Sequence, residues 1–265
     1  MSHAAAGGDQ DVSRQFRLPH ISAGAIVAAL LVLQFALLVT SMLDESPVTD
    51  EPNHLTRGLA WFWGPDTTLS WAHPPLGNVI AALPVVLSSD RVEMGNFRSY
   101  RGGDVYSVAK DLLDKKYDQR RGWFFEGRVM IALLSVGLAF YVYRLGKRLF
   151  GVAVGLCALG FFVLHPTLLA HGRLVTTDMP VTVAMTIAVG ELITFLNGGA
   201  RWHGAAAALG ASAAIVTKYT GLALVPLATL AVFCVMALRA GRYRAMPRSK
   251  ALLAASTFVV LSASL

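Results

Sequence analysis

DEPNHLTRGLAWFWGPDTTLSWAHPPL, Asp50–Leu76, is a polar, acid- and aromatic-rich stretch set in a chain otherwise made of long apolar runs. That contrast decides the fold. Twelve of the sixteen Asp and Glu residues fall between Asp44 and Glu126, and the rest of the chain carries only Asp9, Asp11, Asp178 and Glu191. Acid is concentrated in one loop, which the apolar runs hold at a membrane surface. Hydrophobic residues make up 55%, charged residues 15%, and mean hydropathy is +0.54, whereas about a quarter of residues are charged in a soluble domain. The expected fold is all-α, a polytopic transmembrane helical bundle.

Upstream of this loop, Ile21–Leu43 supplies the roughly 20 apolar residues that a bilayer core demands of a helix, with Gln34 as a polar interruption. Arg14 and Arg17 precede the run and acids follow it, so the positive-inside bias makes residues 1–20 a cytoplasmic N-terminus and 44–126 a large extracytoplasmic loop. The run is too long for a signal-peptide core and has no convincing cleavage site, so it reads as a retained anchor. Downstream, spans over Arg128–Tyr143, Val152–Leu169, Met179–Leu196, His203–Val216 and Leu222–Leu238 alternate in direction. This returns Arg144, Lys147, Arg148, Arg201 and the cluster from Arg239 to Lys250 to the cytoplasm. A seventh span begins over Ala251–Leu265, and residues 21–265 read as the N-terminal part of a longer membrane domain.

The net charge of +7 sits in short clusters beside apolar runs, a pattern of membrane loops that excludes nucleic acid as a partner. Cys157 and Cys234 lie inside apolar runs, far from any group that could complete a metal site, and read as small core residues. No internal repeat of the transporter kind is visible. Within the loop, Asp50-Glu51-Pro52 has the form of a helix start, and Leu55, Leu59, Phe62 and Trp63 follow as one stripe, the pattern of a helix lying in the membrane interface. A second interfacial helix is expected from Pro74-Pro75 to Leu87. If it crossed the bilayer, both basic clusters downstream would land outside. Ser88–Gly122 offers a short helix near Val105–Tyr117 and no assignable chemistry.

Three polar groups gather at the outer face on this topology: Asp50, Glu51 and His54 with His73; the segment His165–Asp178; and Lys218 with Tyr219. Asp50 is either an N-cap, a general base for a hydroxyl, or both. His73 either packs before the Pro-Pro helix start or donates to an anion, and Lys218 either snorkels or binds an anion. Arg173 and Asp178 either pair with each other or headgroups, or form part of a site. Arg128 reads as the anchor of its span or a phosphate contact. Asp44-Glu45 reads as a solvated pair at a helix end, and His165 and His171 as structural residues. An oxygen and imidazole set of Asp50, Glu51, His54 and Asp178 would suit a hard or borderline cation, but no metal and no cofactor is expected.

The order DE-x-x-H at Asp50, HPPLG at His73, GR-x-M at Gly127, RLGKRLFG at Arg144, HGR-x-x-x-TDMP at His171 and TKYTG at Thr217 resembles the membrane glycosyltransferases of the GT-C type. It looks most like the dolichyl-phosphate-mannose-protein mannosyltransferase-like family, which includes protein O-mannosyltransferases and aminoarabinose transferases. The resemblance covers the chain from Ile21 onward. It implies a polyprenyl-phosphate-linked sugar as donor, an acceptor hydroxyl on a protein, lipid or glycan at the outer leaflet, inversion at the anomeric carbon, and no metal at the catalytic centre. It implies Asp50 as general base, with Glu51 and Asp178 shaping the sugar and acceptor site beside His54. Arg173, Lys218 and His73 are then expected near the lipid phosphate, and His73, where the aminoarabinose branch carries Lys, leans towards the mannosyltransferases. The protein is accordingly expected to be multi-pass among membrane lipids, in the plasma (inner) membrane if its source is a bacterium. Rival readings are a lipid or solute transporter and a non-catalytic membrane scaffold.

Overall fold

The computed structural model describes residues 22–65, 67–70 and 73–240. The expected N-terminus, 1–20, the basic stretch beyond residue 240 and the seventh span lie outside the described residues. Those described form ten α-helices with short 3-10 turns and no strand. The chain is an all-α membrane protein, as expected.

α1 (Ala23–Met42) is capped by Ser22, whose hydroxyl accepts from the Ala25 amide at 3.2 Å. α2 (Glu51–Trp63) carries Pro52 in its first turn, where its missing N–H costs nothing, and stops at Gly64. α3 (Leu76–Ser88) follows Pro74-Pro75, and α4 (Val105–Lys115) is capped by Asp104, which accepts from the Tyr106 and Ser107 amides. α5 (Arg120–Phe150) runs for 31 residues to Gly151, whose φ of 96° suits glycine. It begins eight residues before the expected span and ends seven after, because backbone hydrogen bonding continues past the apolar core; at about 1.5 Å per residue it is roughly 46 Å long. α6 (Val152–Leu164) and α7 (Pro166–His171) divide the expected span Val152–Leu169, since Pro166 cannot continue a helix. α8 (Asp178–Leu196), α9 (Arg201–Ile215) and α10 (Thr220–Ala240) complete the bundle.

α1, α5 and α8 are long and apolar enough to cross a membrane by length and composition. α6 and α9 have 13 and 15 residues, short of the roughly 20 that a bare crossing takes. α1 packs on α5 and α6, and α8 on α9. Gln34 Nε2 on α1 donates to Ser135 Oγ on α5 at 3.0 Å, which accounts for the polar interruption.

The loop between α1 and α5 is a packed cap. Leu55, Leu59 and Trp63 are buried against Met94, Phe97, Val105, Val108, Leu112 and Trp123, and the Trp63 and Trp123 rings meet edge-on at 5.7 Å. The stripe expected to face lipid is thus covered by residues 92–112, whose function in the sequence was blank. α2 crosses α3 at Gly58, where a Cβ would lie 2.1 Å from the Asn78 carbonyl oxygen and 2.7 Å from Ala82 Cβ. Gly58→Ala is expected to destabilise the protein by about 1–3 kcal/mol, in the range of core overpacking. Thermal unfolding in detergent measures this, and a wild-type midpoint would show that Gly58 does not set the spacing of α2 and α3.

At the other end of the bundle, Arg148 donates to Glu191 at 3.2 Å and to Thr194 at 3.1 Å, and Tyr141 donates to Glu191 at 2.9 Å. His203 Nδ1 contacts the second Glu191 oxygen. These groups, of which Glu191, Thr194 and His203 are buried, fasten α5, α8 and α9 together about 20 Å along α8 from Asp178.

Candidate active site

Glu51 is fully buried. Its Oε1 accepts from Arg128 Nε and the Val175 amide, each at 2.9 Å, and its Oε2 from Arg128 Nη2 at 2.6 Å and the Val48 amide at 2.9 Å. Arg128, also buried, donates further to the carbonyls of Glu45 and Ser46 at 2.9 and 3.1 Å. The bidentate pair is thus saturated, which is the condition for burying two charges without a large net cost. It joins the first turn of α2, the linker before it, α5 and the turn before α8. Glu51 therefore holds the site together and has no open face toward a substrate. Arg128 is an internal partner and neither a lipid anchor nor a free phosphate contact.

Asp50 stands one residue earlier, at the N-cap position of α2, and its side chain makes no cap hydrogen bond. It is exposed. One turn on, His54 is buried, with Nδ1 2.9 Å from Asn78 Oδ1 on α3 and its ring 5.7 Å from that of His73. An amide oxygen only accepts, so Nδ1 carries the proton and Nε2 remains an acceptor. Burial lowers the pKa of His54, Arg57 adds to the effect, and the Asn78 bond, Asp50 and Asp178 work against it. Burial also lowers that of His73, helped by His54, Arg57 and Lys218. Both shifts favour the neutral imidazole. Among the described residues, His73 Nδ1 and Asn78 Nδ2 are buried without a partner.

Asp178 opens α8, where a carboxylate complements the helix dipole. Lys218, just past α9, donates to its Oδ1 at 2.6 Å, and His171 Nδ1 lies 3.8 Å from its Oδ2. Asp178 thus pairs with Lys218 and not with Arg173. Arg173 instead binds Glu45 and donates to the Ser41 carbonyl at 3.0 Å, clipping the turn before α8 to the end of α1. Glu45, expected to be solvated, is its partner. The segments converge at Gly77, whose Cβ would lie 3.1 Å from Thr217 Cγ2 and 3.4 Å from Pro180 Cβ and Thr177 Cγ2. There the Leu76 amide donates to the Val216 carbonyl at 3.0 Å.

The fold thus brings Asp50, His54, His73, Asp178 and Lys218 into one electrostatic neighbourhood, sets Glu51 beneath it and draws Arg173 to α1. Two participants, Arg57 and Asn78, carry no expectation, and a third, His171, is expected to be structural. Arg57 follows His54 by three residues on the same side of α2, a spacing open to inspection. Asn78 is a lone amide in an apolar helix. No group of three or more metal-type ligands occurs among the described residues.

An exposed, uncommitted carboxylate beside neutral imidazoles, with an ammonium and guanidinium near, can take a proton from a hydroxyl while stabilising an anion. The family model described as dolichyl-phosphate-mannose-protein mannosyltransferase matches residues 123–265, more than half of the chain. The match takes in Arg128, Arg173, Asp178 and Lys218 and leaves Asp50, His54 and His73 outside it. No curated protein and no solved structure matches the chain.

Proposed function

Because the chain belongs to the dolichyl-phosphate-mannose-protein mannosyltransferase family, we propose that it moves a sugar from a polyprenyl-phosphate-linked donor to an acceptor hydroxyl at the extracytoplasmic membrane face, with inversion. The acceptor is a protein, lipid or glycan hydroxyl. Its oxygen attacks the anomeric carbon and its proton passes to Asp50. The bond from that carbon to the phosphate oxygen breaks, and the electron pair leaves on the lipid phosphate. The observation that carries this reading is the state of the DE pair. Glu51 is consumed by Arg128 and two amides, while Asp50, at a position where an aspartate ordinarily caps, caps nothing and faces outward.

The supporting roles follow from the surroundings. Glu51 fixes the first turn of α2 and thereby the direction of Asp50. Asp178 orients Lys218 toward the leaving phosphate, and neutral His73 offers a donor without added charge. An apolar cavity of about 340 Å³, lined by Leu76, Ile80, Pro180, Ala184, Leu209 and Thr217 among others, opens beside Gly77 and fits a prenyl chain.

Membranes containing the full-length protein, supplied with labelled polyprenyl-phosphate mannose or with a labelled nucleotide sugar, test the reading. Transfer to hydroxyl acceptors is expected from the lipid donor alone. Transfer from the nucleotide sugar, or none from any lipid-linked sugar across a panel of protein and glycolipid acceptors, would sink it and favour the transporter or scaffold reading.

A further inference from the structure

Among the described residues the cations around the site are Arg57, Arg128, Arg173 and Lys218. Three of them are neutralised: Arg128 by Glu51 at 2.6 Å, Lys218 by Asp178 at 2.6 Å, and Arg173 by Glu45. Arg57 differs. Its Nε donates to the Leu69 carbonyl at 3.1 Å, and no carboxylate pairs with it among the described residues. It is half-buried on α2, where burial works against its charge. Asp50 and Tyr106 offset that burial through space without pairing with it, and a half-buried guanidinium with no ion-pair partner among the described residues is stabilised when an anion arrives. The Nε bond fixes the plane of the group and leaves the two terminal nitrogens as a fork, a geometry matched to phosphate.

Position agrees with charge. Asp50, His54 and Arg57 lie at i, i+4 and i+7 along one side of α2, so Asp50 and Arg57 stand about 10 Å apart along the helix axis. In an in-line displacement the base and the phosphate occupy opposite sides of the anomeric carbon. They are then roughly 8–9 Å apart, once a hydrogen bond to the acceptor and a near-attack contact are allowed for. His54 and His73 both feel the Arg57 charge, and the unpartnered His73 Nδ1 supplies a polar atom on the same side.

We propose that Arg57 is the principal grip on the donor's phosphate, anchored through Nε on the Leu69 carbonyl, with His73 and the Asp178-paired Lys218 as lesser contacts beside it. This rests on the reading of the site as one for a lipid-linked sugar phosphate. It assigns α2 both ends of the reaction: the base at its first turn and the leaving-group clamp two turns on.

The test is equilibrium binding of polyprenyl phosphate, and of the polyprenol of the same chain length, to the full-length protein in nanodiscs. Wild type is expected to prefer the phosphate. Arg57→Gln is expected to weaken phosphate binding by about tenfold to a hundredfold, the worth of a charge-assisted hydrogen bond, with polyprenol binding unchanged and Arg57→Lys in between. If Arg57→Gln keeps the wild-type preference for phosphate, the inference is overturned while the proposed function stands. If wild type shows no preference, the donor reading falls and takes this inference with it. Should Arg57→Gln fail to fold, Arg57→Lys carries the test: a reduced preference with intact polyprenol binding supports the clamp, and an unchanged one overturns it.

Discussion

Asp50→Asn is expected to lower sugar transfer by roughly 10²–10⁴-fold, the usual worth of a positioned general base, while leaving thermal stability within about 0.5 kcal/mol of wild type. The two halves of that expectation come from the same geometry. An aspartate that capped α2 would cost about 1 kcal/mol when changed to alanine and almost nothing when changed to asparagine, itself a good cap; the Asp50 side chain makes no cap bond and is exposed, so neither change is expected to unfold the helix start. Asparagine keeps the shape and removes only the ability to accept the proton. A transfer assay with lipid-linked donor on Asp50→Asn, set beside melting curves of Asp50→Asn and Asp50→Ala, separates base from cap: an unchanged midpoint in the alanine variant excludes the cap. Transfer that persists would remove Asp50 from the mechanism and leave Asp178 as the carboxylate to examine. A fall in stability that matches the fall in transfer would make Asp50 a structural residue.

Arg128→Met is expected to cost about 3–5 kcal/mol, because it strands the Glu51 carboxylate in the interior with only two amide donors. The double variant Glu51→Leu/Arg128→Met removes both charges and is expected to recover much of that loss, as apolar replacements of buried ion pairs commonly do. Chemical unfolding of wild type, the two single variants and the double variant closes the cycle. Additive losses would show that the 2.6 Å pair contributes no coupling. The double variant also separates folding from catalysis: with the turn at Val175 and the start of α2 no longer joined, transfer is expected to stay low even where stability returns.

Much of the helical layout was open to reading from the sequence, since α1, α5 and α8 announce themselves by apolar length. The boundaries of α5 were not, because hydropathy marks where a helix meets lipid and not where its hydrogen bonds end. Residues 92–112 were opaque for a different reason. Met94, Phe97, Val105, Val108 and Leu112 have no meaning until α2 offers Leu55, Leu59 and Trp63 as the surface they cover. In the site, the motif order pointed to Asp50, His54, His73, Asp178 and Lys218, and the fold gathers them. Sequence could not assign partners. Nothing in the spacing says that Arg128 belongs to Glu51, that Arg173 belongs to Glu45 or that Lys218 belongs to Asp178, because each pairing is made across elements far apart in the chain. Arg57 carries no signal of its own in the sequence: its place on the Asp50–His54 side of α2 is visible, but a lone arginine in a polar loop is ordinarily solvated.

The Glu51 knot also sets a timetable. Its acid lies 77 residues before Arg128 and 124 before the Val175 amide. At about 5–20 residues per second, a ribosome completes Glu51 roughly 6–25 s before the last of its donors exists. During that interval the cap can begin to pack on itself but its central carboxylate has nowhere dry to go. The site therefore closes only after α5 and the turn before α8 have been delivered, and a nascent chain stalled between those points keeps its acid hydrated and unpaired.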